Sequence, residues 1–197
     1  MMPQMKAAAT FPALTRFLVN ANLEDLTSNT PMLCRSIPAL GATVYFNQHS
    51  PHHAYDVFTH ICHVTAAVPP QETLRWAALL HDVGKPACYA PDETGRGHFK
   101  GHAQVGAAMA SEILRKLDAP ASLTADVVWL IEHHMEPLPR NEAELSADVE
   151  RDGLTRTRQL LILKEADARS KGVAEGQKET LSRLQRLQEQ LDDCIIC

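Results

Sequence analysis

Apolar and polar positions recur along most of this chain with the spacing of helices rather than strands. Leu14, Phe17 and Leu18 predict a short amphipathic helix after a loose start, through about residue 22. The next stretch is interrupted by Asn29-Thr30-Pro31, Ile37-Pro38 and Gly41 and reads as a lead-in, and Gln48 to His53, with Pro51 inside it, reads as a loop. From Tyr55, the residues Val57, Ile61, Val64 and Val68 form one face of a helix that stops at Pro69-Pro70. A second helix runs from about Gln71 to Asp82, ended by Gly84 and Pro86. After the polar, glycine-rich loop at 91–97, a third carries a stripe of His102, Val105, Gly106, Met109, Ile113 and Leu117 until Asp118-Ala119-Pro120. The fourth starts at Leu123-Thr124, with Val127, Leu130 and Ile131 in phase. Residues 136 to about 153, rich in Glu and Pro, read as a surface excursion. A fifth helix aligns Leu160 with Leu163, and a last one, after Gly176, aligns Leu181, Leu184, Leu187 and Leu191.

This pattern, with abundant alanine and leucine and few aromatics, predicts an all-α domain. The division expected is a helical lead-in over 1–50, a central domain over 51–175 and a C-terminal helix over 176–197. That last helix either docks back on the domain or serves dimer association, since its repeat is too short for a coiled coil. The chain carries a net charge of -5 with histidines neutral, so no general affinity for nucleic acid follows. Five scattered cysteines fit free thiols, the Cys194–Cys197 pair reads as a frayed tail rather than a zinc site, and no apolar run is long enough for a membrane span. A cytoplasmic location is expected.

Polar residues inside the apolar stripes carry the chemistry. His60 lies three from Val57 and four from Val64; His81 shares a face with Leu74, Ala77 and Ala78; His102 opens its stripe; His134 follows Val127, Leu130 and Ile131; Asp167 is in phase with Leu160 and Leu163. Of the adjacent His133 and His134, the second is predicted to point inward, because His133 is rotated by about 100°. Asp82 stands at the negative end of a helix dipole and needs a cation, either Lys85 or a metal ion. Four imidazoles and two carboxylates converging from five helices suit one or two divalent transition-metal ions, Fe, Mn, Ni, Co or Zn, rather than calcium or magnesium. A carboxylate such as Asp82 can bridge two such ions, an arrangement suited to hydrolysing phosphoesters.

The order His60, His81-Asp82, Asp167, with Gly84-Lys85 completing an HDxGK form, resembles the signature of the HD phosphohydrolase superfamily, and the two further histidines resemble its two-metal variant. Tyr55-Asp56-Val57-Phe58-Thr59-His60, Leu74 through Asp82, Gly97-His98-Phe99-Lys100-Gly101-His102, Lys164 through Ala168 and the stretch Gln48–His53 are similar to the HD domain of bacterial tRNA nucleotidyltransferases, the CCA-adding enzymes, over about residues 37–172. The catalytic head of those enzymes, with its glycine-rich loop and paired aspartates, has no counterpart in this sequence.

The resemblance implies an HD helical bundle and metal-dependent hydrolysis of a nucleotide or related phosphate ester. His60, His81, Asp82 and Asp167 would form the core metal set, and His102 and His134 would add a second ion. Asp82 and Lys85 are the candidate catalytic residues, and Lys85, Lys100 and His133 the candidate substrate contacts, with His98 on the same overhanging loop. Asp56 is expected either to orient His60 or to face solvent. Two other readings remain: a regulatory or RNA-binding module, with tRNA as partner and arginines on 151–158 or 183–186 as contacts, and a di-iron oxygenase, for which no extended substrate lid is visible.

Overall fold

The computed structural model describes residues 9–50, 54–172 and 177–196, leaving out the side chains of 194–196. The Pro51-His52-His53 loop, the loose start before residue 9, Gly176 and the Cys194 and Cys197 side chains lie outside the described residues. The architecture is all-α. Eleven helices are described: α1 (Phe11–Asn20), α2 (Leu23–Ser28), α3 (Thr30–Ser36), α4 (Pro38–Gly41), α5 (Val57–Ala67), α6 (Glu72–Leu80), α7 (His102–Lys116), α8 (Ala121–His133), α9 (Glu142–Asp152), α10 (Leu154–Arg169) and α11 (Gln177–Ile196). Among the described residues, strand is limited to a hairpin of β1 (Ala90–Pro91) and β2 (Gly97–His98) within the stretch expected to be loop.

The stretch from Asn29 to Gly41 is helical rather than broken. Pro31 and Pro38 stand in the first turns of α3 and α4, where a missing N–H costs no helical hydrogen bond, so these prolines start helices instead of interrupting them. Asn22 and Asp25 form a reciprocal capping box that starts α2. Leu14, Leu18, Leu26, Leu33, Ile37 and Leu40 join the same buried core as α5 to α8.

The centre of that core is α6. Leu74, Trp76, Ala77, Ala78, Leu79 and Leu80 are all buried, so the helix is apolar around its circumference and is packed by α1, α5, α8 and α10. Trp76 stacks on Phe11 at 5.4 Å and donates to Thr15 Oγ1 at 2.9 Å, while Arg75 donates to the Ala21 carbonyl at 2.8 Å. The residues that follow α6 therefore emerge in the interior of the molecule.

Two other expectations need correction. The buried face of α7 is His102, Ala103, Gly106, Ala107, Ala110 and Leu114, while Val105 is 37% exposed. Alanine and glycine, which carry little pattern signal, allow α7 to lie close against α8. The supposed surface excursion contains α9, an amphipathic helix capped by Asn141, whose Leu145 joins Leu161, Leu184, Leu187 and Leu191 in a second small core. The leucine face of α11 thus docks back within the chain.

Candidate metal centre

Four histidines and two aspartates meet beside the end of α6. His60 comes from the first turn of α5, His81 and Asp82 from the turn after α6, His102 from the first position of α7, His134 from the residue after α8, and Asp167 from the last turn of α10. All are buried except Asp167, whose side chain is 18% exposed. Gly84 lets the turn after α6 lie directly against the start of α7. A Cβ there would lie 2.5 Å from the His102 carbonyl and 2.7 Å from the Gly106 nitrogen, so any other residue would push His102 away from Asp82.

The donor atoms form two sets, His60, His81 and Asp167 in one and Asp82, His102 and His134 in the other, each with its atoms within 4.8 Å of one another. Asp82 joins them. Its Oδ2 lies 3.4 Å from His60 Nε2 and 3.2 Å from His81 Nε2, and its Oδ1 lies 3.3 Å from His102 Nε2 and 3.9 Å from His134 Nε2. His60 Nε2 is 3.0 Å from Asp167 Oδ1. His60 and His81 approach to 3.4 Å through Nε2, as His102 and His134 do at 3.3 Å.

Backbone carbonyls fix all four rings. Nδ1 of His60 faces Ser170 O at 3.1 Å, of His81 Ala78 O at 2.8 Å, of His102 Phe99 O at 2.7 Å and of His134 Ile131 O at 2.6 Å. A neutral imidazole that donates through Nδ1 presents its Nε2 lone pair on the other side, so every ring aims a donor at the same interior volume. Converging lone pairs repel unless a cation lies between them. Ligands 2.0–2.1 Å from a tetrahedral ion stand about 3.4 Å apart, close to the observed separations. Mixed imidazole and carboxylate donors suit a divalent transition metal, so the residues fit the ions that the sequence predicts.

The electrostatics differ from one ligand to the next. Burial pushes the Asp82 carboxyl up, but the nearby His81, Lys85 and His102 overcome it and hold the group well below the usual carboxylate range. Asp167 behaves likewise: burial opposes ionisation, and the close contacts of His60 and Lys171 prevail. His134 is driven down to about 3, first by burial and then by the charge of His81, so it is neutral and available as a ligand. His81 moves the other way, since Asp82 outweighs its burial.

Lys85 Nζ lies 2.6 Å from Asp82 Oδ2, supplying the cation that the helix end requires. Oδ2 is buried and makes this ion pair, but no well-formed hydrogen bond. The open side of the centre is a cleft of about 420 Å³, lined by Lys85, His98, Phe99, Lys100, Met135 and Lys171 among others. Lys85 and Lys100 are thus placed where a substrate contact was expected. His133 is not: it stacks on Trp129 at 4.4 Å, with Nδ1 on the Trp129 carbonyl at 2.8 Å, and does not line the cleft. Asp56 caps α5, accepting from Thr59 N at 2.8 Å and Thr59 Oγ1 at 3.0 Å, and the fixed acceptor for His60 is the Ser170 carbonyl instead.

Residues that the sequence reading missed complete the site. Lys171 lies 3.2 Å from Asp167 Oδ2, and its position four residues on in the same chain segment could have revealed it. Lys164, its amine lowered to about 8 mainly by burial, donates to the carbonyls of His134 at 2.7 Å and Glu136 at 2.6 Å and ties α10 to the end of α8. Gln48 accepts from Lys85 across the chain, which no local spacing signals.

The HD domain family model matches residues 52–172. This chain belongs to the HD domain family. The family indicates the metal-dependent phosphohydrolase superfamily, and its domains bind divalent metals. Two tRNA nucleotidyltransferases are similar to it. The A-adding enzyme of Deinococcus radiodurans is 40% identical over 105 residues, covering 50% of this chain and 24% of that protein. The CC-adding enzyme of Thermus thermophilus is 44% identical over 72 residues, covering 36% of this chain and 17% of that protein. The chain therefore spans about a quarter or less of the length of these relatives. No helix among the described residues is long and apolar enough to cross a membrane.

Proposed function

We propose that this HD domain is a phosphohydrolase acting on a nucleotide or related phosphate ester. The observation that carries the reading is Asp82, which points one oxygen into each of two donor sets. His60, His81, Asp167 and Asp82 Oδ2 would hold one divalent ion, and His102, His134 and Asp82 Oδ1 the other. When bound, such a pair supplies acidification of water and neutralisation of phosphoryl oxygens, the chemistry of phosphoester hydrolysis.

The protein groups do the rest. The four carbonyl-locked imidazoles keep the Nε2 donors aimed without reorganisation. Lys85, Lys100 and Lys171 line the cleft and favour an anion there. Phe99 and Met135, the latter 59% exposed, offer apolar surface beside the charges, fitting an ester with an organic moiety such as a nucleoside. Nucleotide-like substrates also suit relatives named for tRNA, and tRNA itself is a second candidate partner. The free thiols described, Cys34, Cys62 and Cys88, suit a reducing cytoplasm.

The arginines expected as RNA contacts are largely engaged within the chain: Arg151 with Asp148 and Asp152, Arg156 with Asp126, Arg158 with Asp192, and Arg183 with the Leu138 and Pro139 carbonyls. The test is phosphate release from 2',3'-cyclic nucleotides, nucleoside monophosphates and p-nitrophenyl esters with Mn, Ni, Co or Fe. Turnover that disappears in Asp82→Ala is expected; no turnover with any of these ions, in protein shown to hold metal, would overturn the reading.

A further inference from the structure

Lys85 is held by two buried oxygens, and only one of them belongs to the metal centre. The other is Gln48 Oε1, 2.8 Å from Nζ. Gln48 is buried, and its Nε2 donates to the Tyr55 carbonyl at 3.1 Å. An ammonium can only donate and a carbonyl can only accept, so this network admits a single orientation of the amide. The backbone around Gln48 is equally fixed: the His49 carbonyl accepts from Gly97 N at 3.0 Å, and a Cβ on Gly97 would collide with the Gln48 carbonyl. Gln48 therefore sits where the start of α5, the turn after Asp82 and the hairpin beside the cleft come together.

From this geometry we propose that Gln48 is a positioning residue which holds the Lys85 ammonium at the cleft and directs it at the phosphate of the substrate. The inference rests on the hydrolase reading for the identity of that anion. With Asp82 Oδ2 among the ligands of a divalent ion, the ion pair that now holds Lys85 would weaken, because the carboxylate charge would be shared with the metal. Gln48 Oε1 is untouched by that change and remains as the second anchor. Its neutrality matters: a carboxylate in its place would also hold the ammonium but would cancel the charge that an anion needs, whereas an amide holds it and leaves the charge intact. Phe99, with its ring centroid 5.6 Å from Nζ, bounds the ammonium without neutralising it.

The experiment measures binding of inorganic phosphate to Mn-loaded protein by calorimetry, for wild type, Gln48→Leu, Gln48→Glu, Lys85→Met and the double variant Gln48→Leu/Lys85→Met, with metal content determined on each sample. Gln48→Leu and Gln48→Glu are each expected to weaken phosphate about tenfold while retaining metal, the first by loosening the ammonium and the second by neutralising it. In the Lys85→Met background Gln48→Leu should have no further effect, which a purely structural role would not produce. The proposal is overturned if phosphate affinity in the metal-loaded Gln48 variants stays within twofold of wild type, if the loss is the same with and without Lys85, or if wild type does not bind phosphate. The nearly isosteric Gln48→Glu keeps the test valid should the leucine variant misfold. Gln48-dependent phosphate binding in a protein that hydrolyses none of the esters would sink the hydrolase reading and leave this one standing.

Discussion

The two donor sets share Asp82 yet are built differently. His60 and Asp167 stand within α5 and α10, which pack against one another, His81 follows α6, and Asp167 adds a full carboxylate with Lys171 behind it. Asp82, His102 and His134 all sit at helix ends: one follows α6, one opens α7 and one follows α8. The first set is rich in charge, with oxygens from two carboxylates. The second relies on two imidazoles and one carboxylate oxygen, and its position depends on the close contact of Gly84 with α7. A first ion should therefore enter the His60–His81–Asp167 set more tightly, with the second set filling afterwards.

Removing the shared residue should have the largest effect. Asp82→Ala should bring metal content close to zero and reduce ester hydrolysis by at least about a hundredfold, measured by elemental analysis and phosphate release. Variants specific to one set should divide the comparison. Asp167→Ala should abolish tight binding of the first ion, while His134→Ala should leave one tight ion and remove the second, a difference that isothermal titration with Mn²⁺ would read directly.

A smaller effect should appear in the metal-free protein as pH changes. His134 has a folded pKa of about 3, against about 6.5 when unfolded. Between those values the unfolded chain binds the additional proton, so stability falls as pH drops. At about 1.4 kcal/mol per unit, roughly 1.5 kcal/mol should be lost between pH 6.5 and 5, and His134→Gln should remove most of that slope in urea unfolding. Equal slopes in both proteins would contradict the buried, neutral state of His134. The smallest effect belongs to the neighbouring residue: His133→Ala, outside the cleft, should leave metal content and turnover unchanged.

These contrasts also explain what was legible in the sequence. His60, His81 and His134 sit where their helical phase places them, because each continues a strong apolar stripe, and the choice of His134 over His133 follows from a single residue of rotation. Pattern failed where the physics was tertiary or the residues small. The burial of Ala103, Ala107 and Ala110 in place of Val105 reflects close helix packing, and α9 was hidden because Leu145 and a few other apolar residues stand in a strongly charged segment. Prolines that break a helix and prolines that open one look alike until capping is known. Gln48 finds Lys85 thirty-seven residues away, and Ser170 finds His60 across 110, contacts that only the folded chain defines.

The central claim is that one carboxylate joins two ion sites, and an electron paramagnetic resonance titration of metal-stripped protein with Mn²⁺ tests it most directly. The account predicts that the second equivalent binds to the same chain and converts the isolated Mn²⁺ signal into an exchange-coupled spectrum, which Asp82→Ala abolishes. Saturation at one equivalent, or two equivalents without coupling, would contradict it.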